Sequence, residues 1–127
     1  MKEWSDRRWV MNKILNLKVW QRSHTLVLSI YKETKRFPTE EKFRLTQQLR
    51  RSAVSISANI AEGSKRKTDK EYCHFLFISQ GSLEEVKYYL LLSRDLHYIS
   101  HQRFLDLFSI AEDVGKLLYG FINKLMA

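Results

Sequence analysis

The sequence is poor in punctuation. Its 127 residues contain one proline, four glycines and one cysteine. Pro38 alone breaks the backbone pattern outright, so long uninterrupted elements are expected. Cys73 has no partner within the chain, which excludes an internal disulfide and suits a reducing, cytoplasmic setting. Long apolar runs are missing too. The longest, "YYLLL" at 88–92, is far short of the ~18 residues a membrane helix needs. The N-terminal "MKEWSDRRWVMNKIL" has no apolar signal core or small-residue cleavage site. No glycine-rich phosphate loop occurs: "GSK" after Glu62 lacks the upstream glycine and preceding strand of a P-loop.

Chemistry-bearing residues are sparse. Glu71 and His74 share a helix face near Cys73, but no second Glu-x-x-His pair follows, and a carboxylate-bridged metal pair needs two. His97 and His101 flank the loop residues "YIS" and do not sit on one helical turn. His24 falls beside a core stripe, where a satisfied core histidine is the ordinary reading. These spacings form no nucleophile–base arrangement. Neither an enzyme nor a metal or organic cofactor is expected.

What the chain does contain is charge of one sign, unevenly placed. Net charge is +8. Residues 1–37 carry +6, residues 38–70 carry +4, and residues 71–127 carry −2. A basic half attracts phosphate backbones or faces an acidic protein or subunit; charge alone leaves both open.

Hydrophobic periodicity is helical throughout. A first helix is expected over 18–36, closed by "RFPTEE", in which Thr39 can cap the next helix and Glu40 and Glu41 suit a positive helix end. The second runs to Gly63, with Leu45, Leu49, Ala53, Ile56 and Ile60 on one stripe. Arg44, Arg51, Ser55, Ala58 and Glu62 lie roughly opposite. A further column, Phe43, Arg50, Val54, Ser57 and Ala61, is small or apolar beyond what one core needs. Gly63 is placed as a stop. Thr68 and Glu71 form a capping-box pattern opening the third helix, which runs to about Leu96. Leu76, Leu83 and Leu90 alternate there with Ser79, Val86 and Ser93, and Phe77, Gly81, Tyr88 and Leu92 make a second column. A helix apolar on two faces is buried on two faces. Ser100 caps the last helix, whose stripe runs from Phe104 to Leu125. The expectation is all-α: an up-down-up-down antiparallel four-helix bundle at 15–127, after an N-terminal extension at 1–14 for which Met11 offers an alternative start.

Within the stretch "QLRRSAVSISANIAEGSKRK" (48–67), Asn59 and Glu62 are read as a polar clasp for the helix end. Arg50 is read as holding a buried or interfacial ion pair. Lys65, Arg66, Lys67 and Lys70 concentrate charge at one end and are the leading phosphate-contact candidates, with Arg51 and Arg44 secondary. Most of the aromatics follow core spacing, and they are not interleaved with basic residues as stacking platforms would be.

That stretch, with "LKVWQRSHTLVLSIYKETKRFPTEEKFRLT" before it and "FLFISQGSLEEVKYYLLLSRDLHYIS" after it, resembles the four-helix-bundle family encoded in intervening sequences of 23S ribosomal RNA genes. The resemblance runs from about Leu17 to Leu125. Family members are similar to the accessory variability protein of diversity-generating retroelements, a basic pentameric barrel that binds nucleic acid and a reverse transcriptase. The resemblance therefore implies a ring-like homopentamer whose contacts include Arg50, Val54, Ser57, Ala61, Phe77, Gly81 and Tyr88. It implies RNA or DNA as partner, with a reverse transcriptase or other protein as the alternative partner. Three positions depart from the family pattern: Ser52 replaces an alanine, Lys87 an acid, and His97 the glycine that usually precedes Tyr98 at the left-handed helix cap.

Overall fold

A computed structural model describes residues 13–127. The extension expected at 1–14 and the alternative start at Met11 lie largely outside the described residues. Four long helices account for most of the rest: α1 (Lys18–Thr34), α2 (Leu45–Gly63), α3 (Asp69–Asp95) and α4 (His101–Met126). No strand occurs among the described residues. The expected stripes close on one another. Leu26 and Ile30 from α1, Leu49, Ala53, Ile56 and Ile60 from α2, Leu76, Leu83, Val86 and Leu90 from α3, and Leu107, Ala111, Val114 and Leu118 from α4 form a single buried core. Each helix packs on two others, α1 on α2 and α4, and α3 on α2 and α4.

The connections differ from expectation at one place. α1 ends at Thr34, and the chain tightens through Arg36 N–H to Glu33 O and Phe37 N–H to Thr34 O, which tucks Phe37 into the core. Pro38 then opens a separate 3-10 turn, Thr39–Glu41, and α2 begins only at Leu45. Thr39 therefore caps nothing in α2, and Phe43 and Arg44 lie in the turn before it rather than on the helix. The other caps form as read: Thr68 Oγ1 accepts from Glu71 N–H at 3.1 Å, and Ser100 Oγ accepts from Arg103 N–H at 3.1 Å. α3 closes through Tyr98 N–H to Ser93 O at 2.9 Å, with His97 at φ 65° in the position that favours glycine.

Small residues bring α2 and α3 together. Ser79 Oγ donates to Ile56 O at 2.9 Å, and Ser55 and Ser82 share a hydroxyl contact of 2.8 Å. Gly63 is not a left-handed stop, since no glycine has positive φ. Its role is close approach: a Cβ there would lie 2.6 Å from Tyr72 Cδ1 and 2.9 Å from Phe75 Cβ.

Candidate nucleic-acid interface

The residues singled out from sequence separate into two basic clusters. Lys65, Arg66, Lys67 and Lys70 sit together on the turn from α2 to α3 and its first helical turn. Arg44 and Arg51 belong to the start of α2, where Lys42 and Arg50 join them. About 18 Å of helix separates Arg51 from Gly63 at 1.5 Å per residue.

In the first cluster Arg66 is partly committed. Its guanidinium pairs with Glu62 one helical turn earlier and lies 5.0 Å over the Phe75 ring. Glu62 thus holds the loop after the helix, as expected, but Asn59 takes no part. Its amide donates to Ser55 O at 2.8 Å and to Ser55 Oγ at 3.1 Å, within α2. The clasp is Glu62–Arg66. Lys65, Lys67 and Lys70 are exposed and make no ion pair among the described residues. These three ammonium groups lie within six residues, with one carboxylate, Asp69, among them, and offer their charge to an approaching polyanion.

In the second cluster Arg50 makes no ion pair within the chain among the described residues. Its Nε donates to Thr34 Oγ1 at 2.8 Å, Nη2 donates to Tyr31 O at 3.3 Å, and the guanidinium lies 4.5 Å over the Tyr31 ring. Arg50 therefore ties α2 to α1 while keeping its charge at the surface. Tyr31, Lys42, Phe43, Arg50, Arg51 and Val54 line an open groove of about 450 Å³. Phe43 is 78% exposed with the Lys42 ammonium 5.5 Å from its ring centre. Periodicity places Phe43 in a helical column and does not show this arrangement. The adjacency "KFR" at 42–44 carried the signal.

The residues expected at a subunit boundary also divide. Ser57 faces inward at 8% exposure and shares a 2.8 Å hydroxyl contact with the buried Ser23 of α1, so it closes the α1–α2 seam. Val54 lies in the basic groove, and Ala61 is half-buried. Phe77, Gly81 and Tyr88 remain exposed on α3, joined by Ile78 and Leu91.

Other chemistry is muted. Burial first, and the nearby Asp69 second, push the Cys73 thiol upward, which keeps it protonated and unreactive. No group of three metal-ligating side chains occurs among the described residues, and no helix there is long and apolar enough to cross a membrane. His24 stacks on Trp20 at 4.9 Å. Glu33 is an acid that periodicity did not single out. It is buried on α1, where its carboxylate accepts from Arg103 Nε at 2.7 Å.

The comparisons with known proteins agree with this architecture. No curated protein matches the chain. Among solved structures, one of a protein with unknown function from the S23 ribosomal protein family of Bacteroides thetaiotaomicron VPI-5482 is similar. It is 27% identical, with a TM-score of 0.76 over 82% of this chain and 97% of that one. The family model described as 23S rRNA-intervening sequence protein matches residues 15–120, which spans all of α1 to α3 and most of α4. On that match, this chain belongs to the 23S rRNA-intervening sequence protein family.

Proposed function

We propose that the chain is a non-enzymatic, self-associating four-helix bundle of the cytoplasm that binds nucleic acid through its phosphates, without strong sequence preference. The observation that carries this reading is the unpaired cluster Lys65, Lys67 and Lys70 on the α2–α3 turn. It supplies charge, and the chain offers no helix-turn-helix or zinc element to read bases.

The bundle runs up-down-up-down in this reading. At one end the Tyr98 hydroxyl donates to Glu41 at 2.7 Å and Arg103 pairs with Glu33, which brings together the close of α1, the approach to α2, the close of α3 and the opening of α4. At the other end Tyr72 of α3 meets Phe121 of α4 edge-on at 5.3 Å, and Leu17 and Ser64 line the same hollow.

Self-association, as a ring-like homopentamer, uses the exposed apolar strip of α3. Tyr88 is 58% exposed, and a Cβ added at Gly81 meets nothing within 4 Å among the described residues. Repeating one basic turn around a ring raises overall affinity through effective concentration.

A fluorescence-anisotropy titration with RNA and DNA across several salt concentrations tests the binding. Affinity falls with salt at a log–log slope of roughly −0.9 per phosphate contact on duplex DNA. Replacing Lys65, Arg66, Lys67 and Lys70 by glutamine weakens binding and flattens that slope with helicity unchanged. Failure of the wild type to bind either nucleic acid at low salt transfers the basic half to the second reading, a scaffold that docks an acidic protein.

A further inference from the structure

We infer that the groove between α1 and α2 is a stacking site for an unpaired nucleobase, so that the protein prefers single-stranded nucleic acid to duplex. This inference rests on the nucleic-acid reading above and assigns that reading a second contact and a preferred strand form.

The groove combines three properties. Phe43 projects from the turn between the 3-10 segment and α2 and is 78% exposed, so its ring contributes little to the core. Its face is open to a partner, and apolar area covered on contact is favourable. Tyr31 and Val54 line the same groove, at 39% and 40% exposure.

The second property is charge of one sign. Lys42, Arg50 and Arg51 line the groove and no carboxylate does. The neighbouring Glu41 is turned away to accept from the Tyr98 hydroxyl at 2.7 Å. Arg51 makes no ion pair among the described residues, so its charge is available to a phosphate.

The third is order. Arg50 is fixed by Thr34 Oγ1 and Tyr31 O, which use two of its five N–H groups and leave the rest for an acceptor. Its planar guanidinium and the Tyr31 ring are already stacked at 4.5 Å. Little side-chain freedom is left to lose on binding.

An exposed ring beside cations that flank it matches one chemistry closely. Every base has a π-face, whereas its neighbouring phosphates carry negative charge. A paired base in a duplex is covered by its neighbours and cannot reach Phe43. An acidic peptide satisfies the cations but gives the ring no flat partner. The groove, at about 450 Å³, has room for one base and its sugar.

The test uses the full chain and four labelled probes of equal length: an oligothymidylate, an oligoadenylate, a duplex, and an abasic strand that keeps the phosphates. Wild type binds the two base-bearing strands more tightly than the duplex or the abasic strand. Phe43→Ala loses about tenfold on the base-bearing strands, one stacked base's contribution, and is unchanged on the duplex and abasic probes. Phe43→Trp restores the strand preference. An unchanged melting temperature verifies that both variants are folded, as expected for an exposed position. Equal loss on all four probes, or no loss on any, overturns the stacking site while leaving phosphate binding in place. Binding of none of the probes by the wild type overturns both.

Discussion

Single side chains carry costs that the family pattern or the core would ordinarily avoid. His97 holds φ 65° at the close of α3, where an L-residue is disfavoured by about 1 kcal/mol and glycine is not. His97→Gly therefore raises stability by about 1 kcal/mol, read from denaturant midpoints at unchanged m-value. Tyr72 carries a different cost: its hydroxyl is buried with no hydrogen-bond partner among the described residues, and burial pushes its pKa up to about 12. A phenol with a folded pKa above its unfolded value of about 10 binds its proton more tightly when folded. Its contribution is intact below pH ~10 and is lost as the pH climbs toward 12. Tyr72→Phe removes the orphan hydroxyl, stabilises the protein by up to about 1 kcal/mol near neutral pH, and flattens the alkaline loss in a pH series of thermal melts. A variant that melts with the wild-type alkaline profile would show that other groups control it.

At the scale of elements, the contact of α2 with α3 depends on the absence of side-chain volume. Gly63→Ala places a Cβ against Tyr72 and against the Cβ of Phe75, which cannot rotate away. The substitution costs about 1–3 kcal/mol by overpacking, although alanine is the better helix former. Helix propensity alone gives the opposite sign, so a chemical-denaturation curve separates the two. The α1–α4 contact adds an ion pair to its apolar packing at one end. Arg103→Ala leaves the buried Glu33 carboxylate without its donor and costs about 2 kcal/mol. Arg103→Lys recovers only part, because one ammonium cannot reproduce the bond to Glu33 and the second contact to Asp106 together.

For the whole molecule the unpartnered feature is α3, buried on one side and exposing Phe77, Ile78, Tyr88 and Leu91 beside Glu84 and Glu85 on the other. Glycine inside a helix costs about 1 kcal/mol relative to alanine, and nothing among the described residues lies within 4 Å of a Cβ placed at Gly81. The proposed assembly uses it. Tyr88→Glu or Gly81→Glu dissociates the oligomer, because a charge buried at a subunit contact lacks a partner. Light scattering reads the change directly, and circular dichroism shows the helices retained. A wild type that is monomeric at micromolar concentration rejects self-association. Val54→Glu, in the groove on α1 and α2, leaves the assembly intact and weakens nucleic-acid binding.

The helices and their core faces were legible in the sequence because burial on a helix repeats every three to four residues. Leu45, Leu49, Ala53, Ile56 and Ile60 could be aligned with no knowledge of their partners, and all five are buried. Thr68 and Ser100 were legible for a similar reason, since a cap bonds within its own helical turn. Other roles depend on residues distant in the chain. Ser57 shared a column with Val54 and Ala61, yet Ser23, 34 positions away, drew it inward. Arg50 was read as one half of an ion pair and found Thr34 and Tyr31 instead. Phe43 was counted with a helical column, but Pro38 and the 3-10 turn delayed the start of α2 and left the ring outside it. Periodicity records which face of a helix avoids water; what stands opposite that face is decided only when the helices pack.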